Sequence, residues 1–202
     1  LRRLYGADPR KVSMVPCGFD PAELAPGGTR VRADLGIGAD EFVVLQLGRM
    51  VLRKGIDNVI RAVAALEARH AIRARLVVVG GNAEQPTPEA TPEIGRLADI
   101  ARRAGVLDRI MFTGRRRREA LGSLYRAANV FVTTPWYEPF GITPVEAMAC
   151  GVPVIGSAVG GIKYTVVDGR TGFLVPPDDP EALADRLARL QRNPELARAM
   201  GR

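Results

Sequence analysis

Two carboxylates, Glu138 and Glu146, stand eight residues apart around the glycine turn of the stretch EPFGITPVE. The residues just before them, Asn129 to Thr134, read as a buried strand, and Pro144 suits the first helical position, where its missing N–H costs nothing. A strand therefore hands over to a helix near Gly141, with backbone N–H groups left unpaired at the turn. Such a helix start carries about half a positive charge and several free donors, which suits a pyrophosphate, while the flanking carboxylates can hold sugar hydroxyls. Two plainer roles stay open. Thr143 followed by Glu146 is also the pattern of a capping box, and Glu138 beside Pro139 could be a solvated surface carboxylate.

Cations suited to phosphate occur at a second strand end. Leu47-Gly48-Arg49 closes an apolar run, and Lys54-Gly55 follows five residues after the arginine, just before a helical pattern. A planar guanidinium fork and a mobile ammonium could together neutralise a diphosphate, or both could be solvated surface charges. Thr113-Gly114-Arg115 ends another apolar run, where a loop could read a nucleobase through its backbone, or where Gly114 simply makes a tight turn. Gly80-Gly81 is open in the same way.

The elements that must carry these residues alternate. Phe42–Leu47, Leu76–Val79, Ile110–Thr113, Val130–Thr133, Val152–Ile155 and the short Phe173–Val175 read as buried parallel strands. Helical patterns lie between and after them, at Ile56–Arg69, Glu93–Arg103, Arg118–Ala127, Glu146–Ala149 and Pro180–Gln191. This predicts an α/β fold with a doubly wound, mostly parallel sheet of about six strands, which binds ligands outside the carboxyl ends of its strands. Residues 1–39 carry Pro9, Pro16, Pro21 and Pro26 and one short apolar element around Val12–Val15, so they read as a linker or hinge, with the domain proper at 40–202.

Composition allows one globular domain: 202 residues, 47% hydrophobic and 25% charged. The net charge of +7 is almost wholly arginine, since Lys11, Lys54 and Lys163 are the only lysines. The densest basic run, Arg115–Arg118, lacks interleaved aromatics, so no nucleic-acid partner is expected. Cys17 and Cys150 have no metal-ligand spacing and form no disulfide framework, which points to a reducing cytoplasm. No apolar run is long enough to span a bilayer, and Leu1 opens the chain without a methionine or a leader pattern, as expected of a piece of a longer protein. Asp178-Asp179 lies between prolines and reads as a turn with Asp179 as N-cap, so no metal is expected. His70, the one histidine, is expected to face solvent, and neither a serine elbow, a P-loop nor GxGxxG follows any strand.

The run Glu138–Val175, together with Arg49 and Lys54, resembles the donor-binding, C-terminal half of family 4 retaining glycosyltransferases, which pair two Rossmann-like domains in a GT-B fold. Val15–Asp20, VPCGFD, is similar to the hinge strand of that family. The resemblance implies transfer of a hexose from a nucleoside diphosphate sugar, UDP-glucose being the first candidate, without a metal ion. It implies that Arg49 and Lys54 contact the pyrophosphate, that Glu138 binds hexose hydroxyls, and that Glu146 accepts from the ribose diol. The amides of Phe140, Gly141 and Ile142 would serve sugar and phosphate, and the loop of Thr113, Gly114 and Arg115 the base. A catalytic histidine and the acceptor pocket are implied to lie on a separate amino-terminal domain, and membrane contact of the full protein is not indicated. Similarity to sucrose-phosphate synthases and inositol-phosphate transferases around EPFGIT and AVGGIKYTVVDG suggests a sugar or sugar-phosphate acceptor. The competing expectation is a module that binds a nucleotide sugar without catalysis.

Overall fold

A computed structural model describes residues 2–13, 18–27 and 31–202. Cys17, and the parts of the expected apolar element and hinge strand at 14–17, lie outside the described residues. Six strands form one sheet: β1 (Val43–Leu47), β2 (Arg75–Val79), β3 (Ile110–Gly114), β4 (Val130–Thr133), β5 (Val154–Ser157) and β6 (Gly172–Val175). Their order is β3-β2-β1-β4-β5-β6 and every pairing is parallel. This is the doubly wound α/β arrangement that the alternation predicts. Strand order reverses between β1 and β4, and the crevice at their carboxyl ends is where such sheets bind ligands.

Helices cover both faces, as an all-parallel sheet requires. The helices among the described residues are α1 (Arg2–Tyr5), α2 (Val31–Asp34), α3 (Ile56–His70), α4 (Pro92–Arg103), α5 (Arg118–Ala127), α6 (Ile142–Ala149), α7 (Ile162–Thr165), α8 (Pro180–Arg192) and α9 (Pro194–Met200), and of these α1 leaves Leu4 and Tyr5 exposed rather than packed on the sheet. Val44, Leu76, Val78, Val132, Ile155 and Phe173 point to one face, under α3, α4 and α8. Leu45, Val77, Val79, Phe131 and Val154 point to the other, under α5 and α6. This second layer also buries Leu24 and Ile37, while Arg32 donates to the carbonyls of Ala127 and Glu41 and Arg126 to that of Ala25. Parts of the leading segment thus lie against α5.

Three local expectations are corrected. The helix read as Glu146–Ala149 starts four residues earlier, at Ile142, so Pro144 is its third residue; the first turn still leaves that position without an intrahelical acceptor. Strand β5 starts at Val154 rather than Val152, because the Val152 amide is still closing α6 on the Ala147 carbonyl, with Gly151 left-handed at φ 78° between them. His70 is not turned to solvent: its side chain is 19% exposed and its Nε2 lies 2.7 Å from Asp185 Oδ1 on α8. Packing of α3 on α8, the most extensive helix pair, carries the end of α3 under its neighbour. Asp179 caps α8 as expected, accepting from the Ala182 amide at 2.9 Å.

Candidate functional site

Glycines set the loops at the carboxyl edge of the sheet. Gly48 and Gly80 follow β1 and β2 and Gly114 ends β3, and the Gly48 amide donates to Val79 O while the Gly80 amide donates to Gly114 O. A Cβ on Gly80 would overlap the Gly48 carbonyl, so these strand ends approach more closely than other residues allow. After β1 the chain makes a short 3-10 turn, Leu52–Lys54, before α3. That turn is stitched to the loop after β4: Trp136 donates through Nε1 to Leu52 O at 3.0 Å and through its amide to Arg53 O at 3.2 Å. Arg53 donates to Tyr137 O at 3.0 Å, and Thr134 Oγ1 to Gly55 O at 2.9 Å.

This stitching brings Lys54 to Glu138, 84 residues away in sequence. Lys54 Nζ lies 2.5 Å from Glu138 Oε2, with the two side chains 14% and 15% exposed. The Glu138 carbonyl accepts from the Gly161 amide at 2.9 Å, which holds the loop against the turn before α7. Gly160, at φ +47°, and Gly161 have no room for a Cβ, which would overlap the carbonyls of Glu138 and Phe140. The alternative left open for both residues, that of solvated surface charges, is not what forms: Lys54 and Glu138 are a mostly buried ion pair across the topological switch point.

Gly141, left-handed at φ 81°, is the N-cap of α6 and provides no side-chain cap. The amides of Phe140, Gly141 and Ile142 donate to no acceptor among the described residues, as the handover from strand to helix leads one to expect. The capping-box alternative is not what forms. Glu146 is 5% exposed, and its Oε2 accepts from the Tyr125 hydroxyl at 2.9 Å rather than turning back to its own helix start. Its Oε1 lies 3.5 Å from the Arg118 guanidinium, which also donates to Glu23 at 2.8 Å. Burial, followed by the Glu146 carboxylate beside it, raises the Tyr125 hydroxyl far above the ordinary tyrosine range, so it stays a donor.

Arg49 is exposed and makes no ion pair among the described residues, leaving its fork free. At the third strand end Thr113 is buried, and Gly114 at φ +75° has its Cβ position filled by the Glu84 carbonyl. The Arg115 amide donates to Ala83 O at 2.7 Å, and the Arg115 side chain is exposed. Close approach of two loops therefore accounts for the glycine, and it removes one backbone donor from those able to meet a base. No motif in the sequence marks Tyr125 or Arg118 as residues of the site. A tyrosine on the apolar stripe of α5 must find a partner for its hydroxyl when buried, and that was the available signal.

The "Glycosyl transferases group 1" family model matches residues 29–202. The chain belongs to this family. It is 39% identical over 206 residues to the D-inositol 3-phosphate glycosyltransferase of Kribbella flavida, covering 100% of this chain and 48% of that protein. The counterpart in Mycobacteroides abscessus is 37% identical over 191 residues, 94% of this chain and 41% of that one. Among solved structures, the sucrose-phosphate synthase of Thermosynechococcus elongatus superposes with a TM-score of 0.82 at 40% identity, over 93% of this chain and 45% of its own. The Anabaena protein HepE, solved in complex with UDP-glucose, gives a TM-score of 0.79 at 27% identity, over 91% and 49%. The sheet is thus the Rossmann-like half of a GT-B glycosyltransferase fold, and the chain spans about half the length of the curated relatives it matches. No helix among the described residues is long and apolar enough to cross a membrane.

Proposed function

We propose that this chain is the donor-binding half of a retaining, family 4 hexosyltransferase that takes its sugar from a nucleoside diphosphate. The observation that carries the reading is the Lys54–Glu138 pair at the β1/β4 switch point, beside the unpaired amides at the start of α6. HepE, whose fold this chain shares, is described in complex with UDP-glucose, which makes UDP-glucose the first donor to test. In this reading the diphosphate lies between Arg49, Lys54 and the α6 N-terminus, which stabilise the negative charge that grows as the glycosidic bond lengthens. No metal ion is required for that task. Glu138 binds hydroxyls of the hexose while remaining the counter-charge of Lys54, and Glu146 accepts from the ribose diol. Thr113, Gly114 and Arg115 border the base. The acceptor, a sugar or sugar phosphate as the inositol-phosphate relatives suggest, is held by residues outside these 202, and the protein works in the cytoplasm.

Calorimetric titration with UDP-glucose, GDP-mannose and ADP-glucose, without added metal, tests the reading. One nucleotide is expected to bind best, and Glu146→Ala is expected to weaken it roughly 30- to 100-fold, the loss of a charged hydrogen bond of about 2 to 3 kcal/mol. Absence of binding by all three at millimolar concentration overturns it.

A further inference from the structure

Glu146 is a buried carboxylate whose two oxygens meet unlike surroundings. Oε2 faces the hydroxyl of Tyr125, a residue of 0% exposure whose ring stands edge-on to Phe131 of β4 at 5.4 Å and 68°. Oε1 faces Arg118, whose side chain is 53% exposed and anchored on Glu23. The inner oxygen is therefore held by a donor that cannot move without repacking the α5–β4 interface, and the outer oxygen is left with only a long contact to a surface arginine. A carboxylate alone can rotate about its side-chain torsions, and ordering it when a ligand arrives costs free energy.

We propose that Tyr125 is a positioning residue for the nucleotide: its hydroxyl fixes the rotation of the Glu146 carboxylate so that Oε1 stands ready for the ribose diol. This rests on the nucleotide-sugar reading given above and assigns a task to a residue outside the cleft. Tyr125 touches no ligand. It acts through Glu146 alone, so its effect appears only where the ligand carries hydroxyls for Glu146 to receive. A purely structural tyrosine, one that merely fills the α5–β4 layer, would affect all nucleotides alike.

The test is calorimetry with UDP and with 2′,3′-dideoxyuridine diphosphate on the wild-type chain, Tyr125→Phe, Glu146→Gln and the double variant. Phenylalanine keeps the ring in its slot against Phe131, and circular dichroism checks that the fold is retained. Tyr125→Phe is expected to weaken UDP roughly tenfold and to leave the dideoxy analogue unchanged. In the Glu146→Gln background the same change is expected to have no further effect on UDP. Equal losses for both nucleotides, or no loss for UDP, overturn the positioning role while the nucleotide-sugar reading stands. Failure of UDP and of every nucleotide sugar to bind the wild-type chain overturns both together.

Discussion

Lys54 and Glu138 show what a sequence motif says and what it withholds. Each residue was legible as chemistry, one as a phosphate cation and one as a hydroxyl acceptor. Their pairing was not, because it depends on how the loop after β1 is sewn to the loop after β4 by Trp136, Arg53 and Thr134. The pair is mostly buried, so removing one member leaves the other charge without a partner in poor solvent. Lys54→Met and Glu138→Gln are each expected to destabilise the fold by about 1 to 3 kcal/mol. The double variant is expected to cost clearly less than the sum, since no orphaned charge remains. Urea denaturation midpoints of the four proteins give the coupling directly. Additive losses would mean that the two groups do not depend on one another. Tyr125 was the least legible residue of the site, since its partner lies 21 residues on, in another helix, and nothing in the sequence spacing links them.

At the scale of elements, the glycines fix where the site can be. Gly160 and Gly169 both have left-handed backbones, φ +47° and φ +76°, but a Cβ at Gly169 meets open space whereas one at Gly160 meets the Glu138 carbonyl. Gly169→Ala is expected to cost only the backbone strain, about 1 to 2 kcal/mol, and to leave nucleotide-sugar affinity unchanged. Gly160→Ala is expected to cost more and to weaken UDP-glucose by roughly tenfold or more, because the loop that aims Glu138 must shift. Melting curves and calorimetry on the two variants separate strain from displacement, and equal affinities would show that the Glu138 loop is not held by this contact. The entry to β1 carries a pH-dependent tie of another kind. Glu41 accepts from the Gly38 amide at 2.8 Å and from Arg75 at the start of β2 at 2.9 Å. The Gly38 amide, with Arg75 and Arg32 adding charge, holds its carboxyl below 4.5. The folded protein therefore keeps this group ionised where the unfolded chain would already bind a proton, so its stabilisation is full above about pH 4.5 and fades as pH falls through the lower folded value. The stability gap between the wild type and Glu41→Gln is expected to be present at pH 7 and to narrow as pH falls below about 4.5 and through the lower folded value, as read by urea midpoints. Strands and helices of this kind were legible to within a few residues because buried parallel strands are almost continuously apolar. The misplaced ends, at Ile142 and Val154, lie where backbone caps rather than side chains decide the boundary.

For the whole molecule, alternation of strand and helix announced a doubly wound sheet, yet the strand order β3-β2-β1-β4-β5-β6 depends on crossovers that leave no mark in composition. That order is what places the loop after β1 beside the loop after β4, and so converts separate motifs into one cleft. The one histidine lies outside this cleft. His70 ends α3, at the opposite end of that helix from the Lys54 turn, and is paired with Asp185. In the proposed reading the cations of the cleft, Arg49 and Lys54, serve a leaving diphosphate and its carboxylates, Glu138 and Glu146, serve hydroxyls, which together bind and polarise a donor. The cleft offers no acceptor pocket of its own in that reading. The consequence is a separation of binding from turnover: the 202-residue chain is expected to bind its nucleotide sugar while transferring hexose far below about 1 per second. Release of nucleoside diphosphate, followed with sugar and sugar-phosphate acceptors present, measures this. Transfer at about 1 per second or faster would mean that these residues bind the acceptor as well, and that the half-molecule reading of the site is wrong.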